Sequence, residues 1–510
     1  MTPLTFAALL GLLVLFIFFV IGAYQFRQIR TYDAFYLRSR DLEGGEYASS
    51  FAASSTSFAT VMIWFIAFGS SEGLPLLYCA LTYFIGAWVF TLFTPVIAKH
   101  DFFTKGHTLG EFMYRLYESR AVAISISLVA ATGLLCILLI ELYVGATLFS
   151  IYSKANVPGA IPIGVAVLAI CVFGYSALGG FPGVVRSDKV QMLLILTAGA
   201  AVPLILWIDP PTTSVFTADR LLPSPLVSWP DDPLSNGRLI ISLPLFVNLL
   251  FVNILVFPAQ MRQWQMAAAC KSPADMRSGL IKGGIVNTVA WGMFILLGVL
   301  VGLHYPVAPG ETPNFDGILT MLSSSDSFVV SYVAFPLLFI ACLAALLSTA
   351  DSAIIPLSQA ITDDCLDEKY HTVWVGRVVI LTLALFALAL YYVAFVYLRI
   401  DFMNLLFTLW GLLIVLAPAI GFAMLLPTMA KATRGKVAGF CSIWVGLILT
   451  LGIIIFATPG DGPEWLAWYP KGQPGVLYAG PIGVIASGLI VALGLSGQGR
   501  AVSRANEPTI

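Results

Sequence analysis

The sequence predicts an all-α protein of about thirteen membrane-spanning helices. Three observations carry this. The 510 residues are 59% hydrophobic and only 10% charged, whereas a soluble domain carries roughly 25% charged residues; the mean hydropathy is +0.92. Apolar windows of about 20 residues, each enough to cross about 30 Å of hydrocarbon, recur at 4–25, 46–69, 73–98, 121–151, 159–178, 188–208, 239–260, 281–304, 328–357, 373–397, 402–427, 437–458 and 477–497. With the N-terminus outside and the C-terminus inside, only Lys154, Arg220, Arg238, Arg399 and Lys471 of the 26 lysines and arginines fall outside. A bias that alternates at every loop obeys the positive-inside rule, and one missed span would scramble it.

Composition also excludes several classes. No large soluble domain is left over. A net charge of −1 without a basic run gives no footing for nucleic acid. The seven cysteines are scattered, form no CxxC pair and read as packing residues. The four histidines make no H-x-x-x-H pair, and there is no P-loop, GxGxxG or GxSxG, so an enzyme is not expected. The run from Leu4 to Tyr24 lacks a basic n-region and a small-residue cleavage site, and reads as a retained span.

Along the chain, the stretch 26–47 falls inside with four arginines, an ordinary topology signal. The second span, EYASSFAASSTSFATVMIWFIAFGSSEG, holds seven Ser or Thr between Ser49 and Thr60. It is expected to be a partly unwound helix whose freed carbonyls face a polar cavity; a helix packed closely by small residues is the alternative. HTLGEFMYRLYESR, in the inside run from Lys99 to Arg120, reads as a short amphipathic surface helix whose charges form a solvated face. The Pro-rich 209–238 falls outside and reads as an irregular loop capping the external mouth.

The stretch 341–364, ACLAALLSTADSAIIPLSQAITDD, places Ser348, Thr349, Asp351 and Ser352 deep in an apolar helix. Such a cluster costs several kcal/mol unless something compensates it, and a carboxylate in a span marks a functional site by default. Ala345, Ser348 and Thr349 stand at i, i+3 and i+4 on one face. One carbonyl and two hydroxyls, all hard oxygens, suit a small hard cation such as Na⁺. Asp351 lies roughly 120° around the helix from Ala345 and would serve a neighbouring site. The alternative is that both hydroxyls bond back to their own i−4 carbonyls and only ease helix packing.

Four pieces resemble the sodium/solute symporter family, which includes sodium-coupled sugar, proline and sialic acid carriers. YDAFYLRSRDL resembles its DF-x-x-AGR segment, with Arg38-Ser39-Arg40 for Ala-Gly-Arg. HTLGEFMYRLY resembles its TlpE-x-x-x-x-RY segment. GYSALGGFPGVVRSDKVQ resembles its Y-x-x-x-GG signature, with Ser187 for Thr and Arg186 for an aromatic. LLSTADSAIIPLSQAITDD resembles its sodium-site helix, including the acidic pair Asp363-Asp364. The pieces run in order from about residue 32 to 364.

The resemblance implies a leucine-transporter-like fold of two inverted five-helix repeats, at 46–208 and 239–427. A leading helix lies within 1–30, an external loop at 209–238, and two trailing helices with a short cytoplasmic tail at 428–510. It implies a sodium site with backbone oxygens from Ala53 and Thr56, the Ala345 carbonyl, and the Ser348 and Thr349 hydroxyls, with Asp188 nearby. It departs where the family's glycine is replaced near Ile63, where PAQMRQWQMAAACKS lacks the Gln-Arg pair, and where Thr60 replaces the sugar-type glutamine, which disfavours a sugar. The expected function is Na⁺-coupled uptake of a small solute by alternating access. The expected setting is the plasma membrane, the inner one in a bacterium, with no nucleic-acid partner. Depth and repeat symmetry nominate Ser57, Thr60, Trp64, Asn248, Phe251 and Asn253 for the solute, although the two asparagines could equally be packing groups. The alternatives are an H⁺-coupled carrier using Asp351, and a transporter-like sensor; the chain ends about a dozen residues after its last span, so a sensor would need a separate signalling partner.

Overall fold

The computed structural model describes residues 1–154, 160–209, 238–304, 315–398, 400, 402–456 and 476–505. Among them the only β pairing is a bridge between Leu42 and Cys270. The helices are α1 (Pro3–Phe26), α2 (Tyr32–Leu37), α3 (Gly44–Ser55), α4 (Trp64–Glu72), α5 (Leu81–Thr91), α6 (Thr94–Lys99), α7 (Phe102–Lys105), α8 (Leu109–Tyr117), α9 (Arg120–Lys154), α10 (Ala160–Ile208), α11 (Arg238–Val256), α12 (Met261–Ala269), α13 (Pro273–His304), α14 (Phe315–Ser323), α15 (Phe335–Cys365), α16 (Val373–Tyr391), α17 (Phe402–Ile414), α18 (Ala417–Leu425), α19 (Pro427–Lys431), α20 (Thr433–Phe456) and α21 (Val476–Ala505). Nine described stretches are long and apolar enough to cross a membrane. The 209–238 loop lies almost wholly outside the described residues.

The outer helices are apolar all round. On α1, Ala7, Gly11, Val14, Leu15 and Phe18 turn inward against α10 and α15, while Leu9, Leu12, Leu13 and Phe16 are exposed. That pattern belongs to a helix with lipid as its second solvent. The protein is a multi-pass membrane protein.

Helix α15 is the buried centre. It packs against α1, α3, α9, α10 and α16, and nearly every residue from Phe335 to Ala360 is buried. Its polar residues therefore face protein on every side.

Helix α10 runs for 49 residues; at 1.5 Å per residue that is about 74 Å, more than two bilayer cores. It turns at Gly180, where φ is +51° and ψ −160°, a conformation only glycine adopts easily. A Cβ there would also come within 2.6 Å of Phe35 in α2, and Pro182 follows inside the helix. The GGFPG run is thus a hinge pressed against the YDAFYL segment.

The second span is broken. Helix α3 ends at Ser55, Thr56 and Ser57 leave helical geometry, and one π turn over Phe58–Ile63 leads into α4. The interruption falls at Thr56–Ser57, ahead of the position near Ile63 where the family glycine is missing. Thr and Ser leave the helix here because their hydroxyls can satisfy the backbone and each other: Thr56 Oγ1 donates to the Ala52 carbonyl at 2.9 Å.

The loop 99–120 corrects one expectation. Leu109, Phe112, Met113 and Leu116 of α8 are buried, and its charges do more than face solvent. Glu111 pairs with Arg115, and Arg115 also donates to the carbonyls of His100 at 3.2 Å and Lys105 at 2.9 Å. Thr108 caps the helix by accepting from the Glu111 N–H, and Glu111 accepts from the N–H of His107, one residue before the cap, at 2.8 Å, an offset relative of the capping box. All seven cysteines are free thiols.

Candidate functional site: a cavity and an oxygen cluster between the broken helix and α15

A cavity of about 140 Å³ opens between the broken second span and α9, α11, α12, α15 and α17. Ser57 and Trp64 from the second span line it, as do Asn248 and Asn253 from α11 and Thr349 from α15. Phe251 does not; it sits 36% exposed on the outer side of α11. The Thr60 side chain lies outside the described residues. Asn253 is tied to Thr82 at 2.9 Å, a bond across helices.

Beside the cavity lies an oxygen cluster centred on Asp188 of α10, which is fully buried. Ser348 Oγ donates to Asp188 Oδ1 at 2.7 Å. Ser50 of α3 donates to Oδ2. One carboxylate thus ties the broken helix to α15 through two hydroxyls. Thr349 Oγ1 donates to the Ala345 carbonyl at 3.0 Å. The back-bond foreseen as the packing alternative is therefore present at Thr349 but not at Ser348, and it does not exclude cation binding. A hydroxyl whose proton is placed on a carbonyl or carboxylate presents only lone pairs to what comes next. Ser348 and Thr349 are both in that state.

Ala53, Thr56 and Ala345 are also fully buried. Thr56 Oγ1 reaches Asn287 Oδ1 of α13 at 2.9 Å as well as the Ala52 carbonyl. Every donor in the cluster is oxygen, a set suited to a hard monovalent cation. Asp351 contacts α10 through a different side chain. It accepts from Tyr175 of α10, and its Oδ1 has no hydrogen-bond partner among the described residues. It does not line the cavity.

Sequence reasoning passed over three residues. Ser50 was one serine among many. Glu141 sits in a long apolar span, 1% exposed, and a single charge there was the available signal. It lines the cavity and accepts from Ser57 Oγ at 2.5 Å. Arg262, assigned only to an inside loop, reaches back into the cavity wall: Nη1 donates to the Ser54 carbonyl at 2.6 Å, and Nη2 lies 3.0 Å from Ser55 Oγ and 3.2 Å from the Tyr83 hydroxyl.

No family model and no curated protein sequence matches the chain. Among solved structures it is similar to a Na⁺-coupled sialic acid symporter in a substrate-bound, outward-open state, at TM-score 0.68 and 15% identity over 96% of this chain and 97% of that one. It is also similar to MhsT in complex with L-phenylalanine, at TM-score 0.55 and 13% identity over 88% and 98%. Over nearly its whole length, the chain has the fold of these proteins.

Proposed function

We propose that the protein is a secondary transporter that couples Na⁺ influx to uptake of a small solute by alternating access. The observation that carries this is the Asp188 carboxylate, held by Ser50 of the broken helix and Ser348 of α15 beside a buried cavity. Na⁺ would take the Ala53 and Thr56 backbone oxygens, the Ala345 carbonyl, and the Ser348 and Thr349 hydroxyls, with Asp188 and Asp351 as nearby carboxylates. The fold shared with a Na⁺-coupled symporter supports the reading. The N-terminus would lie outside and the C-terminus inside, with 46–208 and 239–427 as inverted repeats.

The ion acts by joining two elements that move apart. Bound oxygens on both sides favour the state in which α3 and α15 are close, and a ligand shifts an equilibrium only by its differential affinity for the two states. The driving force is adequate: about 1.4 kcal/mol for a tenfold gradient and about 2.3 kcal/mol per charge at 100 mV. A second reading, H⁺ coupling through Asp351, is favoured by that residue's unpaired Oδ1.

The test is uptake into proteoliposomes with labelled amino acids, carboxylates and sugars, under inward Na⁺, K⁺ or H⁺ gradients. Na⁺-dependent uptake that Thr349→Ala abolishes is expected. Robust uptake that ignores Na⁺ and follows the H⁺ gradient overturns sodium coupling in favour of Asp351.

A further inference from the structure

The cavity is lined by one acidic and one basic side chain, Glu141 and Arg262, and neither makes a salt bridge within 4 Å among the described residues. Glu141 uses Oε1 for Ser57, while Oε2 is buried without a hydrogen-bond partner. The Arg262 guanidinium is held by Ser54, Ser55 and Tyr83, while its Nε–H is buried without an acceptor. Trp291 stacks obliquely on Tyr83, ring centroids 5.1 Å apart, and its indole N–H is also buried without an acceptor. The cavity therefore offers an orphan acceptor at Glu141 and orphan donors around Arg262 and Trp291. Buried polar groups in native proteins are normally paired, and each exception calls for a missing partner.

We propose that the transported solute is a small zwitterion, its cationic nitrogen held by Glu141 Oε2 and its carboxylate by the Nε–H of Arg262 and the indole N–H of Trp291. This rests on the transporter reading above and names the substrate class of that site. A zwitterion brings a charged donor to Glu141 and a charged acceptor to Arg262 and Trp291 in one molecule; a sugar brings no charge, and a singly charged solute serves only one of the two sides. Trp64 and Trp410 on the wall offer aromatic faces to the cationic end. Volume limits size: a cavity of about 150 Å³ holds one benzene, so a solute of roughly six to ten non-hydrogen atoms fits the 140 Å³ found here.

The test is calorimetric titration of the purified full-length protein with five probes of similar size: L-norvaline, 5-aminovalerate, n-pentylamine, valerate and valeramide. Each is titrated in Na⁺ and in K⁺, into wild type and Glu141→Gln. At least one zwitterion is expected to bind tenfold or more tighter than the amine, the acid and the amide. Glu141→Gln is expected to weaken that zwitterion at least tenfold and leave valerate unchanged or tighter. Valerate or valeramide binding as tightly as both zwitterions overturns the proposal, as does Glu141→Gln leaving zwitterion affinity intact. The wild-type panel decides the matter even if the variant does not fold. Thermal stabilisation by Na⁺ without solute separates the two claims. If Na⁺ stabilises wild type and neither zwitterion binds, the zwitterion proposal alone fails; if Na⁺ does not stabilise it, the sodium reading fails.

Discussion

The C-terminal end of α15 and its middle handle buried polarity in opposite ways. At the end, Asp363 accepts from the Tyr32 hydroxyl at 2.5 Å and from Gln359 at 3.3 Å, and His107 Nδ1 stands 3.6 Å away. Its neighbour Asp364 accepts from Thr108 and Ser127, each at 2.8 Å. Every carboxylate oxygen there has a donor. In the middle, Asp351 Oδ1, Glu141 Oε2, the Arg262 Nε–H and the Asn287 amide nitrogen have none among the described residues. A satisfied network fixes a structure; an unsatisfied one leaves polar atoms that a water, an ion or a ligand can complete. The family-like motifs meet at the satisfied end, where Tyr32, Thr108 and the Asp363–Asp364 pair come from three of them. One end of the helix is fully hydrogen-bonded, and the middle is where the proposed ion and solute sites lie.

That contrast predicts a graded set of effects. The largest is expected at the structural end. Gly180→Ala combines a glycine-only backbone conformation, costing about 1–3 kcal/mol, with a Cβ 2.6 Å from Phe35. The outcome is loss of most monodisperse protein after solubilisation, read by size-exclusion chromatography; a normal yield would remove the hinge argument. Next, Asp363→Ala strands the donors of Tyr32 and Gln359, at about 1–3 kcal/mol. It should lower the melting temperature in detergent while leaving Na⁺ stabilisation unchanged.

A smaller effect is expected in the middle. Asp351→Asn keeps an acceptor for Tyr175 and replaces a buried carboxyl whose Oδ1 lacks a partner among the described residues, so stability should change by less than about 1 kcal/mol or rise. If this variant melts as early as Asp363→Ala, the contrast between the two regions is wrong. The smallest effect is a pH dependence at the C-terminal end of α15. Burial alone would lower the His107 pKa, but the hydrogen bond and charge of Asp363, aided by Glu111 against Arg40, raise it above its ordinary 6.5. The folded pKa exceeds the unfolded one, so the stabilisation is complete below pH 6.5 and fades as pH rises through the folded value. His107→Gln should flatten the melting temperature between about pH 6 and 8; an unchanged slope would assign it to another group.

The all-helical fold and the membrane setting were legible because lipid leaves the backbone no other solution, and long apolar runs with alternating loop charge are local properties of the chain. The break in the second span was legible from its hydroxyl density. The Ser348–Thr349 face was legible because helical spacing fixes which side chains share a face. Tertiary structure alone decided which polar groups meet. That Asp188 lies between Ser50 and Ser348, that Arg262 reaches back to Ser54, and that Glu141 faces Ser57 instead of lipid all follow from packing between segments up to some 200 residues apart. One-dimensional spacing carries no information about such contacts. It also cannot say whether a buried charge has found its partner, and that is the physical difference between a brace and a binding site.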